Sequence, residues 1–364
     1  MLFLYALLAL VVIVFFQVRI HFGAKPNTSL QRRYAQSPNW KEDRFMNLEE
    51  TTMALGLKDV PGMLKKQFLD RAGRVPKQDI PIRALDWQAF TSDDEDYKII
   101  WLGHSAVLIR FAGKTWLIDP MMGPNASPIA PFKTKRFESN ALEYLKQIPK
   151  VDYVLMSHDH YDHLDFASIQ ALLPHQAKYI TALGVGRHLE KWGIPACDIT
   201  ELDWWDHVQL EEVSLHFTPS RHFSGRGTRD RAKSLWGGFY LQNSAAKLYF
   251  SGDGGYGDHF KEVKARLGKA DVILVENGQY NALWHQIHMY PEEAVSASVE
   301  MQADRVIPVH WGGFALAMHS WQEPVERFSE AAQQAGLNFE IPYPGEMLSP
   351  NTKTADSFWW KSIQ

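Results

Sequence analysis

Residues 151–163 read VDYVLMSHDHYDH. The segment from Val151 to Ser157 is apolar enough for a buried strand, and the metal-binding residue types follow it directly. The pattern is H-x-H-x-D-H, which places His158, His160, Asp162 and His163 within six residues. A strand leaving into a tight loop can turn His158 and His160 toward one point. The following turn can present Asp162 and His163 to a neighbouring point. Nitrogen and oxygen ligands of this kind suit Zn²⁺, with Mn²⁺ or Fe also accommodated. Two metals held about 3.5–4 Å apart form a binuclear hydrolytic site. A run of polar loop residues explains one histidine at a strand end; it does not explain this spacing.

Two sites need further ligands, and the right residue types stand at later strand ends. His222 follows VSLHFTPSR, Asp253 follows KLYFSG and His310 follows RVIPV. Short β-type runs begin at residue 97 with YKIIWLG, AVLIRF and TWLIDP, and continue after residue 212 with VSLHFTPS, GGFYLQ, KLYFSGD, DVILVEN and RVIPVH. Helical patterns fall near 259–268, 291–302 and 323–335, and another helix is expected to start near Asp165. Several strands close on a polar residue: Asp119, His158, Ser220, Asp253, Glu276 and His310. Two mixed sheets with outer helices would bring these ends to one edge, an α/β class. The glycines of Gly252-Asp253-Gly254-Gly255 lack the order of a phosphate loop. Close backbone approach beside the ligand explains them better.

The chain has 364 residues, 45% hydrophobic and 22% charged, which excludes wholesale disorder and allows a large core. Its single cysteine, Cys197, excludes an intrachain disulfide and a Cys-rich metal cluster. Lys+Arg 38 against Asp+Glu 42 gives no reason to expect a nucleic-acid partner. Residues 1–16, MLFLYALLALVVIVFF, are unbroken apolar sequence, and Arg19, Lys25, Arg32 and Arg33 lie after it. The stretch is at the lower length for a span and is followed by positive charge. It reads as a transmembrane anchor over 1–18 with the remainder cytoplasmic, the alternatives being a cleaved signal or a helix packed on the protein. Residues 19–96 read as linker and N-terminal cap, 97–350 as the catalytic domain and 351–364 as a C-terminal tail. Residues 121–137, with Lys133, Lys135 and Arg136, read either as a membrane-touching rim or as an ordinary lid. Trp204, Trp205, Trp359 and Trp360 read as packing residues, and His175, His188 and His319 as surface or satisfied core.

Several blocks together resemble one family. They are WLGHSAVLI at 101–109, IDP at 118–120, SHDHYDHLD at 157–165, ELDWWD at 201–206 and FTPSRHFSGR at 217–226. SLWGGF at 234–239, SGDGGYGDHF at 251–260, HMYPEEAV at 288–295 and VHWGGFALAMHSWQEP at 309–324 continue the match. The chain resembles metallo-β-lactamase-fold hydrolases, most closely the branch of N-acylphosphatidylethanolamine-hydrolysing phospholipase D and its bacterial relatives. The resemblance implies an αββα four-layer sandwich. It implies that His158, His160 and His222 hold one Zn²⁺, that Asp162, His163 and His310 hold a second, and that Asp253 bridges them. Asp162 and Asp253 would be the catalytic carboxylates, and Tyr161 and His288 substrate contacts near phosphate. His104, in the WLGHS turn, would orient a ligand from behind or be a structural histidine. The implied function is hydrolysis of a phospholipid phosphodiester at a bacterial inner membrane, with a homodimer left open. A lactonase or other esterase on the same metals is the second reading, and a non-catalytic, membrane-tethered metal- or lipid-binding protein the third.

Overall fold

The computed structural model describes residues 19–54, 73–127, 134–227, 229–355 and 358–363, with a few more between 56 and 65. A two-residue hairpin, β1 (Trp40–Lys41) and β2 (Arg44–Phe45), precedes the main body. The strands that follow are β3 (Tyr97–Trp101), β4 (Val107–Phe111), β5 (Lys114–Ile118), β6 (Tyr153–Met156), β7 (Lys178–Ala182) and β8 (Ile199–Leu202). Next come β9 (His207–Leu210), β10 (Val213–Thr218), β11 (Gly238–Gln242), β12 (Lys247–Phe250), β13 (Val272–Glu276), β14 (Arg305–Val309) and β15 (Met347–Leu348). They form a seven-stranded sheet, β15-β3-β4-β5-β6-β7-β8, and a six-stranded sheet, β14-β13-β12-β11-β10-β9. Both are mixed: hairpins pair antiparallel, while β5 to β8 and β12 to β14 run parallel.

Side-chain alternation builds the layers. On β12 and β13, Leu248, Phe250, Val272 and Leu274 join the core shared with the other sheet. Their neighbours Tyr249, Ile273 and Val275 turn outward and pack on Phe260, Val263, Ala294, Met301 and Phe328. Those five lie on helices His259–Leu267, Pro291–Met301 and Glu323–Gln334, where the sequence periodicity placed helices. Helices Ala141–Gln147 and Phe166–Leu172 bury Tyr144, Leu145, Ile169 and Leu172 in the core of the first sheet. The result is the four-layer αββα order. Local chemistry fixes the helix starts. Asp165 accepts hydrogen bonds from Ala167 N at 3.0 Å and Ser168 N at 3.2 Å. Pro291 occupies a first turn whose Glu293 accepts from Tyr290 N at 2.8 Å.

The flanking segments are built into this body. Tyr34 and Phe45 are buried, and Asn47 bonds His222 in both directions along the backbone. At the other end Trp359 and Trp360 are buried against Trp311, the neighbour of His310. Trp204 is likewise buried, and Trp205 lies under Arg266. Among the described residues no helix is long and apolar enough to cross a membrane. The anchor read over 1–18 lies outside the described residues, as does Lys133. The rim reading, one of the two for residues 121–137, needs Arg136 as a surface cation and is corrected at that residue. Its guanidinium is buried, pairs with Glu138 at 3.0 Å and donates to Leu102 O at 2.9 Å. A basic residue flanked by apolar ones looks like a rim in sequence, but here it is neutralised inside the fold.

Candidate metal centre

The seven ligand candidates gather at one edge of the two sheets. β6 delivers the H-x-H-x-D-H loop, and the loops after β10, β12 and β14 deliver His222, Asp253 and His310. The turn after β3 adds His104. His104, Asp119 and His310 have positive φ, 52°, 42° and 65°. Non-glycine residues rarely adopt this conformation, which concentrates at functional sites. Gly252 permits the approach of Asp253: it has φ +64°, and a Cβ there would lie 2.1 Å from Gly237 O.

His158, His160 and His222 form one convergent set. His160 Nδ1 lies 2.9 Å from His158 Nε2 and 3.1 Å from His222 Nε2. Three nitrogens on a tetrahedron around Zn²⁺ at about 2.0–2.1 Å would be about 3.3 Å apart, so the set is close to ligand spacing. The outer partners fix the lone pairs. His222 Nδ1 is 2.9 Å from Ile287 O, which only accepts, so Nδ1 carries the hydrogen and Nε2 is bare. His158 Nδ1 meets Ser157 Oγ at 2.9 Å, while that hydroxyl donates to Asp119 Oδ2 at 2.5 Å. The serine therefore accepts from His158, whose Nε2 is also bare.

Asp162, His163, His310 and His104 form the neighbouring set. Asp119 Oδ2 accepts from His163 Nδ1 at 2.8 Å, turning Nε2 inward. His310 Nδ1 contacts Ser105 Oγ at 2.9 Å. His310 Nε2 is buried without a hydrogen-bond partner, and Asp162 Oδ2 stands 4.0 Å from it. A cation between them satisfies both. His104 Nε2 contacts Asp162 Oδ2 at 2.9 Å, a contact that suits an orienting role, and is near enough to the set to be a ligand itself. Asp253 lies between the sets. Its Oδ2 is 2.9 Å from His163 Nε2 and 4.0 Å from both His158 Nε2 and His222 Nε2. Its Oδ1 is 3.2 Å from His310 Nδ1.

Electrostatics call for positive charge at this point. Burial, and then neighbouring imidazoles, hold His158, His222 and His310 well below the ordinary histidine range. Burial takes His160 down to about 4. Burial works against a charged His163 too, yet Asp253 and Asp162 hold it well above its usual value. Burial raises Asp253 to about 6. A proton on His163 thus sits where two carboxylates meet, and a divalent cation supplies that charge better while leaving the imidazoles neutral. The donor set fits two such ions.

Tyr161 and His288 have different surroundings. Tyr161 donates its hydroxyl to Arg226 O at 2.7 Å, with the Arg226 guanidinium 4.0 Å over its ring. That contact ties the metal loop to the loop after His222. His288 lies parallel to His310, with centroids 5.2 Å apart and planes 9° apart, and edge-on to His222 at 4.9 Å. Its Nδ1 is 3.0 Å from Glu276 Oε1.

Three residues escaped sequence reading as parts of the centre. Asp119 and Glu276 were visible only as polar strand ends. Asp159 occupies a spacer position of the motif, yet it is buried and accepts from Gly225 N at 2.7 Å, Ser234 Oγ at 2.5 Å and His188 Nε2 at 3.2 Å. His188, read as surface or satisfied core, is buried and satisfied there and at Ala24 N, 3.1 Å from its Nδ1. His319 is likewise occupied, by Ser320 O at 2.8 Å.

A pH dependence follows. Burial lowers His104 and His160 to about 4, and His188 and His259 to about 3. The unfolded chain protonates these groups near 6.5, so below that pH it binds more protons than the folded protein and stability falls with pH. Burial raises Glu138 to about 7 and Asp253 to about 6, Glu276 and Asp165 are raised as well, and His163 is held up by carboxylates. These oppose the trend, but with His158, His222 and His310 also lowered the depressed histidines outnumber them. Metal-free protein is expected to lose thermal stability steadily from pH 7 to 5; a flat or rising Tm over that window contradicts the assignment.

The comparisons agree with this geometry. A family model described as beta-lactamase superfamily domain matches residues 114–311. An uncharacterized protein of Mycobacterium tuberculosis is 35% identical over 331 residues, 90% of this chain and 88% of that one. N-acyl-phosphatidylethanolamine-hydrolyzing phospholipase D 1 of Caenorhabditis elegans is 30% identical over 243 residues, 63% of this chain and 68% of that one. Among solved structures, the metallo hydrolase Igni18 of Ignicoccus hospitalis superposes with TM-score 0.53 at 20% identity, covering 71% of this chain and 99% of that one, a likeness of fold. With the ligand clusters in place at the sheet edge, the chain belongs to the beta-lactamase superfamily as a metal-dependent hydrolase.

Proposed function

We propose that this protein is a binuclear zinc phosphodiesterase of phospholipase D type, acting on N-acylphosphatidylethanolamine-like phospholipids. The observation that carries the reading is the position of Asp253 between two imidazole-rich sets. The ligand set contains just two carboxylates, Asp162 and Asp253, beside neutral imidazoles. Two divalent cations leave it net positive, which favours an anionic group such as a phosphodiester. When bound by Asp162, Asp253 and the imidazoles of both sets, the metals would lower the pKa of a water from 15.7 toward about 7 and neutralise charge on substrate oxygens. Asp162 and Asp253 orient the attacking water and take its proton. Ser157, Asp119 and Ile287 O hold the imidazoles in their working tautomers. His288, which carries no part of either triad, hydrogen-bonds a phosphate oxygen or the leaving oxygen. The phospholipase D relative supports a lipid substrate, and residues 1–18 would hold the domain at the cytoplasmic face of the membrane. The products would be an N-acylethanolamine and phosphatidic acid.

The test is a substrate panel on zinc-loaded protein. Turnover of the lipid phosphodiester, with little on lactones, is the expected result. A preference for lactones at least as strong as for phosphodiesters would overturn the phosphodiesterase reading and leave the hydrolase.

A further inference from the structure

We infer that Glu276 is a positioning residue that acts through His288. This rests on the reading of His288 as a substrate contact. Glu276 ends β13, and its side chain is fully buried. Among the described residues it forms no salt bridge with an arginine or lysine; its ion-pair partner is His288, whose Nδ1 lies 3.0 Å from Oε1. Its second oxygen accepts from Met289 N at 3.1 Å, the backbone amide next to His288. One carboxyl group thus grips both the ring and the main chain of this segment. From the strand side, Ser251 Oγ accepts from Glu276 N at 3.0 Å, two residues before Asp253.

The grip decides which edge of the ring faces substrate. With Nδ1 committed to Glu276, the ring's other nitrogen, Nε2, is the one left to bond a ligand. The ring plane is set by stacking on His310 and by the edge contact with His222. Stacking alone permits a flip about the Cβ–Cγ bond that exchanges Nδ1 with Cδ2 and Nε2 with Cε1; the Glu276 contact removes that freedom. A buried carboxyl is costly unless it is hydrogen-bonded, so its presence at a strand end, paired with a histidine rather than an arginine or lysine, calls for a purpose. Holding His288 supplies one, as outer carboxylates hold metal-binding histidines.

A double-mutant cycle tests this, with bis(p-nitrophenyl) phosphate and the N-acyl phospholipid as probes. Glu276→Ala in zinc-loaded protein is expected to lower kcat about 10–100-fold, with metal content unchanged. In a His288→Ala background it should cost less than about 2-fold, because the group it positions is gone. An equal loss in both backgrounds overturns the proposal. If Glu276→Ala does not fold, Glu276→Gln carries the cycle: it keeps the volume but offers one acceptor oxygen to two donors. A second readout needs no turnover. In the metal-free protein the proton NMR spectrum should hold a downfield Nδ1–H signal that disappears in His288→Ala and in Glu276→Gln; its survival in Glu276→Gln also overturns the proposal. Absence of turnover with both phosphodiesters would count against the proposed function, and the spectrum alone would then decide on Glu276.

Discussion

Replacing Asp253 with Ala is expected to abolish turnover, by about 10³-fold or more, equivalent to about 4 kcal/mol of transition-state stabilisation. The size follows from its place. Asp253 Oδ2 is 2.9 Å from His163 of one set and 4.0 Å from His158 and His222 of the other. Asp119 also approaches both sets, at His158 and His163, but its oxygens are taken up by Ser157 and by His163 Nδ1, whereas Asp253 meets Nε2 of His158, His163 and His222. On the proposed binuclear reading, metal content in Asp253→Ala should fall from two per chain toward one. The fold should persist, because Asp253 is buried at some cost and burial already lifts its carboxyl toward the neutral form. Metal analysis alongside kinetics and thermal unfolding checks this. Loss of activity with full metal content would give Asp253 a role only in proton transfer.

Asp159→Ala should have the largest effect on stability, about 3–5 kcal/mol, read as a drop in the denaturation midpoint. Burial disfavours the charged form of Asp159, yet His188 and Arg187 hold it well below the usual carboxylate range. Removing it strands buried donors on His188, Ser234, Gly225 and Arg187 at once. The damage would reach the metal loop, since Asp159 separates His158 from His160. It would also reach the N-terminal segment, which is joined to the same network. Ala24 N donates to His188 Nδ1, and His188 Nε2 then donates to Asp159. A loss under about 1 kcal/mol would show that other partners replace Asp159.

The clustering of the candidate ligands was legible because metal chemistry imposes spacing on sequence. An H-x-H-x-D-H run directly after an apolar strand is hard to account for without a metal, and His222, Asp253 and His310 each close a strand whose register fixes where it ends. The helices near 291 and 323 were legible for a similar reason, through apolar periodicity and a proline at the first turn. What supports the ligands was not legible. Asp119, Asp159 and Glu276 act across the fold on residues 38, 29 and 12 positions away, at Ser157, His188 and His288. No local pattern marks such partners. Arg136 shows the opposite failure: surrounded by lid-like sequence, it pairs in the interior with Glu138, two residues on. A charge alone does not tell a rim from a buried ion pair.

The most direct test of the proposed binuclear phosphodiesterase activity is product release from N-acylphosphatidylethanolamine in mixed micelles. Purified zinc-loaded protein would be compared with Asp162→Ala, which removes a carboxylate 2.9 Å from His104 and 3.5 Å from His163. N-acylethanolamine released by the parent protein and not by Asp162→Ala is the expected result. No release from parent protein shown to hold two metals, or equal release from both proteins, would contradict it.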